Sequence, residues 1–274
     1  MNRFKTFMLM AVLTILFVLI GDMVGGQIGM IFALGIALLM NFFSYWFSDK
    51  IVLMMYGAKP LTKEQAPQLY SMVNNLSVKA GIPMPKLYIV ETNMANAFAT
   101  GRDHHHSAVA VTRGILNVLD DRELEAVLAH EITHIKNYDM LIGTLAATFA
   151  GAITTLARLA FWFGGSDDRG GNAISGLFLL ILAPIAALLI QLAISRSREY
   201  AADNGSADLT GRPHSLISAL EKLSGAAART KPANINPATT HMLIVNPFKN
   251  GFLASLFSTH PTLEQRRKNL LQRV

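Results

Sequence analysis

Four long apolar stretches limit what this chain can fold into more than any other feature. They cover residues 7–24, 28–47, 140–163 and 174–194. A helix that crosses the hydrocarbon core of a bilayer needs about 20 mostly apolar residues, and the last three stretches meet that requirement. The first stretch carries Asp22 near its end, where the carboxylate can reach the interface. The pattern predicts four transmembrane helices, the first of which is an uncleaved anchor.

The composition agrees with a protein that is largely embedded in lipid. Hydrophobic residues make up 51% of the 274 residues and charged residues 15%, whereas a soluble domain is about 25% charged. Cysteine is absent, which excludes disulfide bonds, a thiolate nucleophile and sulfur ligands for a metal. The formal net charge of +6 would indicate a nucleic-acid partner only if the membrane topology did not already account for the positive residues.

The positive residues lie almost entirely on one side of the predicted spans. Arg3 and Lys5 precede the first span, nine Lys and Arg lie in residues 48–139 and eleven in residues 195–274, which is 22 of the 24. Positive residues collect on the cytoplasmic side of membrane proteins. We therefore expect both segments in the cytoplasm and residues 164–173 outside, and we expect no nucleic-acid partner.

The predicted spans divide the chain into four parts. An N-terminal transmembrane hairpin covers residues 1–49 and turns at Gly25-Gly26. A cytoplasmic segment follows at 50–139, then a second transmembrane hairpin at 140–194, then a second cytoplasmic segment at 195–274. The second hairpin returns the chain to the side from which it left, so the two cytoplasmic segments can meet.

The middle segment mixes helix and strand patterns. Residues 61–80 have the pattern of a helix, and the glycine and prolines of residues 81–85 break it. Asp120 with Glu123 three residues later is a capping-box pattern, so we expect a helix there that continues into the third span. Short alternating runs predict three strands, at residues 86–91, 96–100 and 107–112.

In the last segment, we expect a helix at residues 213–223 and a terminal helix opened by His260 and Pro261, with the proline in its first turn. The predicted fold class is therefore α+β. The protein is expected to be a mainly helical integral membrane protein with four transmembrane helices and a small β-sheet in its cytoplasmic part.

The run HEITH at residues 130–134 is the strongest chemical signal in the sequence. Residues four apart share one face of a helix, so His130 and His134 can bind the same ion. Zinc lowers the pKa of a bound water from 15.7 to about 7, and Glu131 is placed to take its proton. The alternative is that two histidines merely pack near a membrane surface. The motif predicts a catalytic zinc site and favours a metalloprotease.

A catalytic zinc site needs a third protein ligand and one open position. Glu199 is the preferred candidate, because it follows the fourth span directly. Asp203 lies four residues later on the same helix face, where its carboxylate can orient a ligand histidine. The alternative for this pair is two solvated acids at a membrane exit. The candidates for the third ligand on the cytoplasmic side are Asp139, Glu199, His214, His241 and His260.

Several runs carry a likeness to a known family: HEITH after a capped helix, Arg-Glu-Tyr-Ala-Ala-Asp at 198–203, Asn-Ala-Phe-Ala-Thr-Gly at 96–101, and Ser-Thr-His-Pro at 258–261 followed by Arg266. Together with the order of the spans, they resemble the HtpX membrane proteases of bacteria, and the likeness covers nearly the whole chain. Two positions depart from the family pattern: Thr262 stands where a second proline is frequent, and three histidines occupy the predicted turn at 104–106.

This resemblance implies a zincin-like cytoplasmic catalytic domain of the gluzincin type, with one zinc ion and Glu199 as the third ligand. It also implies ATP-independent endoproteolysis in the bacterial inner membrane. The expected substrates are unfolded, misfolded or damaged membrane proteins, cleaved as part of protein quality control under stress. Other quality-control proteases of the membrane are expected partners, together with the lipid bilayer itself.

Three further features can be given a role. Residues Asn96, Ala97, Phe98, Ala99 and Thr100 are predicted to form an edge strand that pairs with an extended substrate, and the alternative is an ordinary core strand. His260 is predicted to donate a hydrogen bond to the developing oxyanion, or else to cap a helix. The residues His104 to His106 are interpreted as a solvated turn, and less readily as an adventitious metal site.

Two other functions are compatible with parts of the pattern. A protease for prenylated C-terminal peptides would share HExxH and the Glu-x-x-x-Asp spacing, but four spans are few for its larger helical chamber. A membrane carrier or sensor of zinc would not be an enzyme, and it would need polar residues that face each other in mid-membrane. The predicted spans offer amide and hydroxyl side chains but no acid in mid-span, which disfavours transport.

Overall fold

The protein, seen here as a computed structural model, is described for residues 2–145, 196–229, 242–244 and 261–272. Within these residues it is mainly helical with one small mixed sheet, as the composition and patterns predict. The helices are α1 (Asn2–Met55), α2 (Pro67–Ala80), α3 (Arg113–Val118), α4 (Asp121–Lys136), α5 (Arg196–Thr210), α6 (Pro213–Arg229) and α7 (Leu263–Leu271); the strands are β1 (Lys59–Pro60), β2 (Lys86–Val90), β3 (Ala97–Gly101) and β4 (Ser107–Thr112).

Helix α1 is a hairpin of two helices. The backbone leaves the helical conformation at Gly25 and Gly26, the latter with φ of 57°, where the sequence predicts the turn. The two arms lie side by side, because the Asn41 amide donates a hydrogen bond of 2.7 Å to the Thr14 hydroxyl. Among the described residues, one helical segment, Gly25–Phe47, is long and apolar enough to cross a membrane. A shorter apolar helical segment covers Thr6–Leu19.

The other two predicted spans lie almost wholly outside the described residues. Residues 139–145 are helical and correspond to the start of the predicted span at 140–163. Their buried side chains pack against the α1 hairpin through a small apolar cluster of Leu13, Leu141, Ile142 and Leu145. The predicted span at 174–194 and the outer loop at 164–173 are not among the described residues.

The sheet has the strand order β1-β2-β4-β3, so β3 lies at one edge. Strands β2 and β4 are parallel, while β3 and β4 are antiparallel. One face of the sheet packs on α2, α4 and α6 around a single apolar core that includes Leu76, Val109, Leu128 and Leu220. Strand β3 therefore runs directly beside the helix that carries HEITH.

Helix α4 begins where the sequence predicts and ends earlier. Asp120 and Glu123 form a complete capping box at its first turn. The expected continuous passage into the third span is wrong, because Lys136 ends the helix and Tyr138 adopts a φ of 58° before residues 139–145 become helical again. A non-glycine residue in this left-handed region turns the chain sharply.

The terminal helix also differs in its start. The N-cap is Thr262, whose hydroxyl accepts from the Gln265 amide while the Gln265 side chain accepts from the Thr262 amide. Pro261 therefore precedes the cap and does not lie in the first turn. A proline at position 262 would remove both halves of this capping box, so the capping box explains locally why threonine stands there.

Candidate metal centre

The two histidines of HEITH face each other on α4. Their Nε2 atoms are 3.1 Å apart, and the ring planes meet at 89°. His130 is buried and His134 is half-buried. Because the two residues are separated by one helical turn, both imidazoles project from the same face toward one point.

Glu199 on α5 completes a group of three. Its carboxylate oxygens lie 3.8 Å from His130 Nε2 and 3.6 Å from His134 Nε2. Ligand atoms that surround zinc tetrahedrally at about 2.0–2.2 Å are about 3.3–3.6 Å from one another. The observed separations bracket that range, so the three side chains fit one ion. Within the residues that the structure describes, no other group of three metal-binding side chains converges in this way.

Helix α5 reaches the metal centre because small residues let it approach α4 closely. A Cβ atom at Gly205 would collide with both side-chain branches of Thr133, inside HEITH. One residue later, the Ser206 hydroxyl donates a hydrogen bond of 2.6 Å to the Ala126 carbonyl. This contact fixes the register between the two helices, and it places Glu199, about two turns earlier on α5, beside the histidines.

His130 is held from behind by a buried ion pair. Asp203 Oδ1 lies 3.0 Å from His130 Nδ1, and Asp203 is completely buried. Two guanidinium nitrogens of Arg266 on α7 donate hydrogen bonds to the same carboxylate, at 2.9 Å and 2.5 Å. Burial alone would raise the pKa of Asp203, but the charge of Arg266 and the hydrogen bond with His130 lower it. The carboxylate thus stays ionised and fixes the orientation of the ring.

His134 has its own carboxylate, from a residue that the sequence suggested only as a candidate ligand. Asp139 Oδ2 lies 3.2 Å from His134 Nδ1, because the left-handed turn at Tyr138 brings the chain back toward the helix. Burial by itself lowers the pKa of His134, but the bond with Asp139 and the charges of Glu199 and Glu131 raise it to about 9. Surroundings that stabilise a cation on the imidazole also favour a metal cation beside it.

Glu131 lies in the same cavity and is anchored to the sheet. Its Oε2 accepts a hydrogen bond of 2.9 Å from the Ala99 amide of β3. Burial raises the pKa of Glu131, and the charge of Glu199 raises it further, while the imidazoles of His130 and His134 lower it. The cavity has a volume of about 90 Å³, enough for a few water molecules beside the ligands.

The predicted substrate strand is at the sheet edge but is not open to solvent. Residues 96–100 are all buried, and Asn96 lies just before β3. The Asn96 side-chain amide donates to the Met242 carbonyl at 3.2 Å and accepts from the Ile244 amide at 3.0 Å. Residues 242–244 therefore run beside the site and line the cavity.

The remaining candidates either lie outside the described residues or lie away from the cavity. His260, the predicted oxyanion donor, and His241 are outside the described residues. His214 lies in the first turn of α6 and is not among the described residues that line the cavity. In the turn before β4, His106 pairs with Asp103 at 2.8 Å, and His104 stacks on Tyr138 with ring centroids 4.0 Å apart. The sequence did not predict that Arg266 supports the metal centre. Its partner Asp203 is 63 residues away, and no local sequence pattern links the two.

Comparisons with known proteins agree with this chemistry. The profile of peptidase family M48 matches residues 63–274. Proteins described as protease HtpX homologs are similar over nearly the whole chain: one from Ralstonia pickettii (strain 12J) is 53% identical, covering 99% of this chain and 96% of the relative. Another, from Persephonella marina, is 54% identical over 99% of this chain and 97% of the relative.

Among solved structures, Ste24p of S. mikatae covers 85% of this chain and 56% of its own, with 20% identity and a TM-score of 0.49. The family match extends over more than half of the chain, and the HtpX relatives match it nearly end to end. The chain therefore belongs to peptidase family M48, among its HtpX proteases, and is a membrane metalloendopeptidase that acts on protein substrates.

Proposed function

We propose that this protease binds one zinc ion through His130, His134 and Glu199 and cleaves misfolded or damaged membrane proteins at the cytoplasmic face. The observation that supports it best is the convergence of the three side chains within 3.1–3.8 Å of one another. Two histidines and one glutamate are a frequent ligand set for catalytic zinc, which keeps a further position open. The absence of cysteine excludes thiolate ligands, so imidazole nitrogen and carboxylate oxygen remain as the usual ligand atoms for zinc.

Zinc in such a site polarises a peptide carbonyl and lowers the pKa of a coordinated water to about 7. Glu131 is the general base in this proposal. Its Oε2 is occupied by the Ala99 amide, which fixes the carboxylate plane and leaves Oε1 to accept a proton. Its buried position, which raises its pKa, makes the carboxylate a stronger base near neutral pH.

Residues Asn96 to Thr100 are proposed to bind the substrate as an added strand. Among the residues that the structure describes, strand β3 pairs with β4 on one side and with no strand on the other. An extended peptide at such an edge would pair through its backbone, which suits a protease that accepts many sequences. The Ala99 amide links this strand directly to Glu131. His260 is the proposed donor to the oxyanion.

The proposed placement is multi-pass in the bacterial inner membrane, with residues 50–139 and 195–274 forming the cytoplasmic catalytic domain. The transmembrane hairpins are residues 1–49 and 140–194. The asymmetry of the positive residues supports this orientation, and the helix Gly25–Phe47 has the length of a span. A role in protein quality control under stress, alongside other membrane proteases, is the biological part of the proposal.

The test is cleavage of an unfolded protein such as casein by the purified full chain. We expect activity to disappear on chelation and to return with zinc. Glu131→Gln should keep stoichiometric zinc and lose cleavage, because both histidines and Glu199 remain in place. Glu125→Gln is the matched control, since Glu125 lies on the same helix in an exposed pair with Arg212. An active Glu131→Gln protein would refute the assignment of the base.

A further inference from the structure

A second cavity lies on the other side of the sheet, at the end of the apolar helix Gly25–Phe47. It has a volume of about 580 Å³, and among the described residues it shares no lining residue with the metal centre. Pockets that hold small molecules typically measure about 300–1,000 Å³. We call it the interfacial cleft; its lining includes Phe42, Trp46, Phe47, Lys50, Lys86 and Arg102.

The depth of the interfacial cleft follows from the length of the span. Gly25–Phe47 has 23 residues, which at about 1.5 Å each crosses the apolar core of about 30 Å and ends at its edge. The last turns of this span expose the aromatic rings of Phe42, Phe43, Trp46 and Phe47. Aromatic residues collect at the level of the lipid headgroups. The interfacial cleft therefore opens at that level.

Three cations surround the interfacial cleft. Arg102 is held in place, because its guanidinium lies 4.5 Å from the Trp46 ring and donates to the Trp46 carbonyl at 3.1 Å. Arg102 also lies 3.5 Å from Asp103. Lys50 and Lys86 form no ion pair with any carboxylate among the residues described, and Asp49 is the one acid that lines the cavity there. The lining thus has a net positive charge.

The space between helix and sheet exists because small residues face it. Lys86 and Tyr88 project from the same face of β2, as residues two apart on a strand do. The partner of Lys86 across the parallel pairing is Ala108 on β4, which also lines the interfacial cleft. The methyl group at this position leaves room in front of the strands, while Lys86 and Tyr88 border that room.

We propose that the interfacial cleft binds one anionic glycerophospholipid, with the phosphate among Lys50, Lys86 and Arg102 and the acyl chains along the exposed aromatic rings of α1. A soluble phosphate would use the cations but not the exposed rings, which continue into the apolar core. Basic pockets at the ends of membrane helices suit anionic headgroups. The lipid would connect α1 to the turn between β3 and β4, and so hold the sheet at a set height above the bilayer.

The test uses Trp46 as a reporter. The chain has two tryptophans, so Trp162→Phe leaves Trp46 alone, and Glu131→Gln prevents self-cleavage. The full chain is reconstituted in nanodiscs that contain phosphatidylglycerol or phosphatidylcholine with brominated acyl chains, at increasing mole fraction. We expect saturable quenching of Trp46 at a lower fraction of the anionic lipid. Both lipids occupy both leaflets, so the result does not depend on the orientation of the protein.

The variants distinguish specific lipid binding in the interfacial cleft from general attraction of anionic lipid to the positive charge of the protein. Lys50→Gln with Lys86→Gln should raise the half-saturating fraction about 25-fold, since each basic residue near an anionic surface contributes about 1 kcal/mol, or about fivefold. Lys50→Arg with Lys86→Arg should keep the preference. Lys63→Gln with Lys268→Gln removes two exposed lysines that do not line the interfacial cleft, and it should keep the preference too.

Three results would overturn the proposal. Equal quenching by the two lipids would show no headgroup selectivity. An equal loss in the Lys63 and Lys268 control would show attraction by total charge alone. Abolition of the preference by millimolar inorganic phosphate would indicate a soluble ligand rather than a lipid.

Discussion

At the scale of single residues, each histidine of the metal centre has its own carboxylate. Asp203 holds His130, and Asp139 holds His134, at 3.0 Å and 3.2 Å. The two carboxylates reach the site by different routes, one across helices and one through a tight turn. Such partners fix the ring orientation and the tautomer of a ligand histidine.

Removal of a zinc ligand should lower zinc affinity more than removal of a carboxylate that only orients a ligand histidine. We expect Glu199→Ala to lose both bound zinc and casein cleavage, because only two protein ligands remain. Asp203→Asn should lower zinc affinity about 10–100-fold while activity returns in excess zinc, as is typical when a carboxylate behind a ligand histidine is removed. Competition with a chromogenic chelator measures both affinities.

The control for these variants is Glu221→Gln, whose carboxylate is exposed and 3.9 Å from Arg267. It should leave zinc affinity unchanged. If Glu199→Ala still bound stoichiometric zinc tightly and cut casein, the third ligand would lie elsewhere, and His260 would be the next residue to change.

At the scale of elements, the contact between α4 and α5 depends on a glycine. We expect Gly205→Ala to lower the free energy of unfolding by about 1–3 kcal/mol, because the new methyl group meets the Thr133 side chain in a packed contact. Gly225→Ala on α6 is the matched control. Its Cβ would meet no atom of the described residues within 4 Å, so it should be neutral or stabilising. Urea unfolding of both proteins measures the difference.

Zinc affinity gives a second readout of the same contact. Gly205→Ala should also weaken zinc binding, because separation of the helices moves Glu199 away from the histidines, whereas Gly225→Ala should not. Equal unfolding midpoints for the two variants would mean that α4 and α5 tolerate a wider separation than this packing indicates.

An ion pair between the buried Glu123 and the exposed Lys222 connects the start of α4 to α6. The Glu123 side chain accepts hydrogen bonds from Lys222 at 2.7 Å and Ser218 at 2.6 Å. Burial alone would raise the pKa of Glu123, but these bonds lower it below the ordinary value. A carboxyl whose pKa is lowered in the folded state stabilises the fold above its unfolded pKa of about 4.3, and this contribution disappears as the pH falls through the folded value.

Glu123→Gln should therefore cost about 1.5–3 kcal/mol near neutral pH, as the loss of hydrogen bonds to a charged group does. The difference from the parent should shrink below about pH 4. Unfolding in urea at a series of pH values measures it. Glu125→Gln, from an exposed pair, should change stability by less than about 0.5 kcal/mol. A Glu123→Gln penalty that grew toward acid would contradict the sign of the pKa shift.

At the scale of the whole molecule, the proposed topology puts both catalytic segments on one side of the bilayer. The chain has no native cysteine, so single cysteines report sidedness cleanly. We expect Ser166→Cys to react with an impermeant maleimide in intact cells, and Ser224→Cys to react only after lysis. Labelling of Ser224→Cys from outside would contradict the proposal and the meeting of Glu199 with His130.

Local features of this fold follow from residues close together in the chain. The capping box of Asp120 and Glu123 begins α4 as predicted, and the break at Gly25 and Gly26 lies where the turn is expected. Strand β4 has the predicted bounds, whereas α2 begins at Pro67, six residues later than predicted. Proline is favoured at the first helical position, a local signal that a pattern averaged over many residues does not resolve.

The sequence by itself determined the chemistry of the metal pair. Spacing of four on a capped helix places His130 and His134 on one face, whatever else the chain does. The tertiary structure alone decided what surrounds them. The pairs Arg266 with Asp203 and Ala99 with Glu131 join residues 63 and 32 positions apart, and Asp139 reaches His134 only because Tyr138 adopts a left-handed conformation. Contacts of this kind arise from the packing of whole elements, so no local pattern encodes them.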